Sequence, residues 1–355
     1  MIELILETGY ELLRDMPQKY TILDIAKTAG VSRGTVSRVL NNHPSVSDQT
    51  RQKVLEVIKR LDYSPNFSAR SLRTAASNMV GFATDEVITT PFAVDIIRGA
   101  QDTLSQYGKV MIAINTGYDS QAMQKSMEVL LERRVEGIVY AAMFHREIDI
   151  PAQLVERIPV VLANCFSKDQ LLPSVVPDEV SGGYNATKAL LDAGHTRIGF
   201  INLSRAWGEP IAPLPASDGR LKGYKKALAE ADVPYDEDLL HYTDQRPTSS
   251  YDKTLEIMQK DDPPTAIFCG NDRTAMGCYN ALMSLSLRIP DDVAVVGFDN
   301  QSNLCEALYP SLTTVQLPHY EMGQWAVEYL LNHADDSVDP PQHKLNCPLV
   351  TRDSV

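Results

Sequence analysis

The chain has 355 residues, 44% of them hydrophobic and 22% charged, with a formal net charge of −13. That is room for two or three domains with a real core, and it excludes a disordered chain. No stretch nears the roughly 20 apolar residues of a membrane helix, and five scattered cysteines argue against a disulfide frame or a zinc site.

In chain order, residues 1–15 (MIELILETGYELLRD) read as a short helix with no partner, an extension of doubtful origin. This acidic start lacks the basic region of a signal peptide, so a cytoplasmic protein is expected. Residues 16–63 form the first domain. Thr21 with Asp24 is a capping-box pattern opening a helix whose inner face is Ile22, Ile25, Ala26 and Ala29. Gly30 suits the turn that follows, because glycine tolerates positive φ. Ser32 caps a second helix with Val36, Val39 and Leu40 inside and Arg33, Gly34, Thr35, Ser37 and Arg38 outside. A helix, a short glycine turn and a polar, basic helix make a helix-turn-helix pattern. Ser47 opens a third helix at 48–61, with Val54, Val57, Ile58 and Leu61 as its stripe and Tyr63 closing the core.

Charge follows the same division. Residues 16–75 carry +6, whereas the 280 residues after them carry −16. A basic head on an acidic body is the footprint of a phosphate-binding module on a soluble sensor. Residues 64–77 read as a hinge helix and linker, within which Leu72 is an apolar side chain between Arg70 and Arg73 without an obvious core.

From residue 78 to 355 the pattern changes. Apolar runs at 79–83, 110–115, 137–142, 159–163, 197–203, 265–270 and 293–299 alternate with helical segments at 95–106, 122–132, 182–192, 219–231, 251–259 and 272–284. Such alternation means parallel sheets covered on both faces, and the strand count predicts two Rossmann-like lobes. No GxGxxG follows a strand and no GxxxxGK[ST] occurs, so a dinucleotide or P-loop site is unsupported and no cofactor or metal is expected. His145, His195, His241 and His319 are dispersed in sequence, and no nucleophile motif such as GxSxG is present, so catalysis is not expected.

The segments TILDIAKTAGVSRGTVSRVLNN and VSDQTRQKVLEVIKRLDYSPNFSARSLRT, with PFAVDIIRG, ALLDAGHTRIGFI, DGRLKGYKKAL, PTAIFCGNDRTAMG, RIPDDVAVVGFDN and PSLTTVQLP after them, resemble the lactose/galactose repressor (LacI/GalR) family. The resemblance covers about residues 20–355. It implies a small all-α helix-turn-helix head, a hinge helix and an α/β periplasmic-binding-protein-like core, with the N-lobe at 79–177 plus 317–342. It also implies a homodimer on near-palindromic double-stranded operator DNA, controlled by a small effector, a sugar or derivative, held between the lobes. Ser32, Arg33, Gly34, Thr35, Ser37 and Arg38 match the DNA-reading helix; Asn66, Ala69 and Leu72 match the hinge, with Leu72 as a minor-groove wedge. Arg33 and Arg38 suit guanine edges, whereas Gly34 departs from the usual side chain and can read no base itself. Phe92, Ala93, Asn164, Arg220, Gln245, Asn271 and Asp299 match effector contacts. Asn164 stands where the family often has Asp, and Gln245 where it often has an aromatic residue. Residues 204–217, including Arg205 and Trp207, could line or lid the cleft. The leading expectation is a ligand-responsive repressor. The alternative is a corepressor- or protein-partner-dependent global regulator of the same fold, and a pure sugar-binding receptor is a third class.

Overall fold

Three short helices make the head: α1 (Ile22–Ala29), α2 (Arg33–Leu40) and α3 (Asp48–Arg60). The Thr21 hydroxyl accepts from the Asp24 amide, while the Asp24 carboxylate accepts from the Thr21 amide at 2.8 Å, so two otherwise unpaired donors are satisfied at once. Gly30 ends α1 at φ 64°, a conformation most side chains resist. Ser47 caps α3. Ile25, Ala29, Val36, Val39, Val54 and Val57 from the three helices bury one another, and Tyr63 packs on that cluster. A computed structural model describes residues 20–40, 43–63, 77–89, 94–204, 214–333 and 340–355. Contacts divide the chain between Ser77 and Asn78, and each unit is described by itself.

The second unit begins with β1 (Met79–Thr84), α4 (Val94–Gln106), β2 (Val110–Asn115), α5 (Ser120–Glu132), β3 (Ile138–Ile148), β4 (Val160–Ser167) and β5 (Ser174–Pro177). The chain then crosses to α6 (Glu179–Asp192), β6 (Ile198–Leu203), α7 (Pro215–Glu230), β7 (Leu240–Thr243), α8 (Pro247–Met258), β8 (Ala266–Cys269), α9 (Asp272–Ser284), β9 (Ala294–Asp299) and β10 (Thr313–Gln316). It returns for α10 (His319–Asn332) and β11 (Gln342–Leu345), and crosses a third time to β12 (Leu349–Val350). The strands lie in two six-stranded sheets, ordered β11-β5-β4-β3-β1-β2 and β12-β10-β9-β8-β6-β7. Among the described residues only β12, paired with β10, runs antiparallel.

Each sheet is apolar on both faces, as its unbroken runs of buried residues require. In the first lobe, Ile96 and Leu104 of α4 and Met322 and Val327 of α10 cover one face, and Met127 and Leu130 of α5 the other. In the second, Phe200 and Phe268 stack 4.3 Å apart beneath Leu190 and Tyr224, while Ile257 and Leu282 close the opposite face. Helices α4 and α10 approach until a Cβ at Gly323 would lie 2.1 Å from the Ile96 carbonyl, so both Gly323 and its counterpart Gly99 must stay bare.

Three expectations need adjustment. Helices α6, α7 and α8 start three or four residues earlier than the apolar stripes suggested, because Asp178 caps α6 through the Ser181 amide and Pro215 and Pro247 open α7 and α8. Helix α10 was not foreseen as an element. The first lobe also runs on to Leu345, since β11 pairs with β5. Among the described residues no helix is long and apolar enough to cross a membrane. All five cysteines are buried and unpaired.

Candidate functional site

The head offers the outer face of α2. Val36 and Val39 anchor that helix in the core, which turns Arg33, Gly34 and Arg38 to solvent. The Ser32 hydroxyl accepts from the Thr35 amide at 3.1 Å and lies 3.0 Å from the Thr35 hydroxyl. These bonds serve the helix start and use one of the two hydroxyl hydrogens. Ser37 is half-buried on the same helix. A Cβ at Gly34 would meet only the Ser32 Oγ, at an ordinary 3.6 Å. Nothing inside the head requires glycine there, although glycine within a helix costs about 1 kcal/mol against alanine. Asn66, Ala69 and Leu72 lie outside the described residues.

The second unit offers a cleft between its two sheets, open to solvent. Asn164, Arg220, Gln245, Asn271 and Asp299 all line it. Asp299 ends β9; Gln245 and Asn271 follow the ends of β7 and β8, where open parallel sheets hold ligands. Asn164, Gln245 and Asp299 have φ of 56°, 66° and 113°, a cluster of sparsely populated conformations of the kind that collects at binding sites.

Asn164 does not end its strand as expected, because β4 continues to Ser167. Its side-chain amide donates to the Ala142 and Met143 carbonyls at 3.0 and 3.2 Å, where the β3–β4 register slips between Ala141 and Arg146. Buried Asp85 holds the same irregularity from the other side, accepting from the Met143 amide at 2.9 Å and from Arg146 at 2.9 Å. The irregularity presents Met143, Phe144 and His145 to the cleft. With its NH₂ committed, Asn164 is left with its oxygen, an acceptor, for any ligand.

Arg220 does not open its helix; it lies a turn and a half inside α7 and is only 3% exposed. Its Nε donates to Glu179 at 2.8 Å, and a second N–H donates to the Gly270 carbonyl. The guanidinium lies 3.6 Å above the Phe298 ring, and its Nη2 is 3.8 Å from Asp299. Asn271 caps α9 through the Thr274 amide at 2.9 Å and donates to Gln245 at 3.3 Å. The cation is thus fixed before any ligand arrives, as preorganised recognition requires.

Electrostatics separate the two acids. Burial pushes Glu179 up, but the Arg220 guanidinium and the His145 ring beside it outweigh burial and bring it down to about 2. Burial raises Asp299 to about 8, aided by Asp272 and Glu179 and only partly offset by Arg220. At neutral pH Glu179 is a fixed anion, whereas Asp299 keeps a proton and can donate as well as accept.

Sequence reasoning missed Glu179, the carboxylate that clamps Arg220. It also treated the histidines as dispersed, yet His145 and His319 both line the cleft, with His145 Nδ1 3.6 Å from Glu179. Arg273 and Gln301 line it too. No local motif marks these residues; only the three crossings of the chain bring them together. Phe92, Ala93 and residues 205–213, with Arg205 and Trp207, lie outside the described residues.

Residues 21–66 match the family model described as bacterial regulatory proteins, lacI family, and residues 78–349 that of periplasmic binding proteins and sugar binding domain of LacI family. The HTH-type transcriptional regulator RegA of Clostridium saccharobutylicum is 34% identical over 94% of this chain and 99% of its own. The sucrose operon repressor of Escherichia coli is also 34% identical, over 94% of this chain and 99% of its own. The solved transcriptional regulator CelR–cellobiose complex superposes with a TM-score of 0.65 at 28% identity, covering 95% of this chain and all of that one, 100%.

Proposed function

This chain belongs to the LacI family of bacterial transcription regulators and is a ligand-modulated, sequence-specific DNA-binding protein, not an enzyme; from that premise we propose that it is a cytoplasmic homodimeric repressor released from its operator by a carbohydrate bound between the core lobes. The observation that carries the carbohydrate reading is the cleft's polar set. Arg220 is clamped, the Asp299 carboxyl faces it with its pKa pushed up by burial, Asn164 offers an oxygen, and Gln245 and Asn271 are bonded to each other. Such a set meets adjacent hydroxyls with both donors and acceptors, the pattern a polyol needs. The CelR structure with cellobiose and the sucrose operon repressor support the same class.

On the DNA side, Arg33 and Arg38 are assigned to guanine edges in the major groove, with Ser32, Thr35 and Ser37 near the phosphates. Asn66, Ala69 and Leu72 are assigned to the minor groove, with one Leu72 from each subunit wedged at the operator centre. A twofold dimer calls for a near-palindromic site. Ligand-dependent lobe closure is the switch; a coupling of about 1–3 kcal/mol would change operator affinity roughly 5–150-fold.

A gel shift with the DNA upstream of its own gene, with and without cellobiose, sucrose and simple hexoses, tests the reading. Binding without sugar and release with one of them is expected. Binding only in the presence of an added small molecule or protein would favour the corepressor alternative, and no binding at low salt would end the operator assignment.

A further inference from the structure

Most polar atoms facing the cleft already have a protein partner. The Asn164 amide, the Arg220 Nε and the Asn271 side chain are committed as described. His319 is different. It is the first residue of α10, immediately after the second crossing between lobes, and it lines the cleft beside Leu317. It is 8% exposed, and its Nε2 is buried with no hydrogen-bond partner among the described residues. The groups that face it electrostatically are Glu179 and Arg220, which are paired with each other. Burial lowers its pKa to about 4 against the pull of Glu179, so at neutral pH the ring is uncharged, with one nitrogen donating and the other accepting. A fold gains nothing from burying a polar nitrogen unsatisfied; an apolar side chain of the same shape would fit better.

We propose that His319 is a specificity-determining residue of the effector site, its Nε2 reserved for a hydroxyl of the bound carbohydrate. This rests on the carbohydrate reading above and extends it. Recognition then comes from three sources: the wall of one lobe through Asn164, the wall of the other through Arg220, Asn271 and Asp299, and the connecting chain through His319. A ligand that satisfies His319 engages the segment that connects the lobes, whereas a sugar lacking a hydroxyl there leaves the nitrogen unpaired and is disfavoured.

The test separates this role from a structural one without needing a known ligand. In the full-length chain at pH 7.5, His319→Phe keeps the ring and deletes the polar atom. The expected result is a thermal midpoint about 2–4 °C higher, the shift a gain of about 1 kcal/mol gives a core of this size. A lower midpoint would mean His319 is bonded within the fold, and it overturns the proposal. Thermal shifts with cellobiose and sucrose supply the second reading. A sugar that stabilises the wild type should bind His319→Phe at least tenfold more weakly, and His319→Gln, which restores a polar side chain, should recover part of the loss. Wild-type affinity in His319→Phe overturns the contact. If neither sugar shifts the wild type, it is the carbohydrate reading that loses support, and the midpoint of His319→Phe alone decides His319: a rise upholds it and a fall overturns it.

Discussion

The face of α2 assigned to DNA and the cleft assigned to the effector are built in opposite ways. On α2 the residues assigned to guanine edges stand in solvent: Arg33 and Arg38 are exposed, while Val36 and Val39 are buried and Leu40 packs on the same cluster. In the cleft Arg220 is buried, ion-paired and stacked on a ring. The first arrangement lets a long, flat partner supply the desolvation; the second completes most of it during folding. The exposed residues of α2 can therefore change with little effect on the fold, whereas the cleft cannot change its central cation without unsettling the lobe that holds it.

The sharpest way to break this contrast is Glu179→Ala. It leaves Arg220 buried without its carboxylate and should cost about 3–5 kcal/mol of core stability in urea denaturation; a loss below 1 kcal/mol would show that Arg220 is not held by Glu179. Asp299 gives a pH signature next. Its proton is held to about pH 8 in the fold, against an ordinary carboxylate value of 3.8. Below pH 3.8 both states are protonated and the effect vanishes. Between about pH 4 and 8 only the unfolded chain ionises, so stability falls as pH rises, and above 8 the loss is constant. Asp299→Asn should flatten that slope; an unchanged slope between pH 5 and 8 would mean that Asp299 is ionised in the fold.

The head should behave otherwise. Arg38→Ala is expected to weaken cognate operator binding by about 1–3 kcal/mol and relax one base position, with no change in thermal midpoint. An equal loss on random DNA would identify Arg38 as a phosphate contact. Gly34→Ala should stabilise the head by up to about 1 kcal/mol, since glycine is the poorer helix former and space for a methyl exists. A selection for operator variants should at the same time show altered preference at one base pair; an unaltered preference would mean that the bare position carries no sequence information.

The head was nearly all legible in the sequence, because its signals are local. Thr21, Asp24, Gly30, Ser32 and Ser47 punctuate three helices, and the spacing of Ile25, Ala29, Val36 and Val54 states which faces meet. The core was legible as a class, through its alternating strands and helices, but less so in detail. Helix α10 was missed although Met322, Ala326, Val327 and Leu330 carry helical spacing; what no single window shows is its glycine pairing with α4, more than 200 residues away in sequence. Glu179 and His319 were hidden for the same reason. Each looks like an ordinary helix-start residue until the crossings set both in the cleft with Arg220. The commitment of Asn164 to two backbone carbonyls depends on a slip in strand register, which sequence pattern does not encode.

The interleaving of the two lobes has a consequence for how the protein is made. A ribosome delivers β1 to β5 first, but their sheet lacks β11 and the covering helix α10 until residues 319–345 emerge. The other sheet waits still longer for β12 at Leu349–Val350. Neither lobe can complete its core during most of synthesis, whereas the head, drawn from the first 63 residues, can fold as soon as it leaves the tunnel. A nonsense codon near residue 310 would therefore spare the helix assigned to the operator while unfinishing both lobes at once, leaving the head without a complete core behind it.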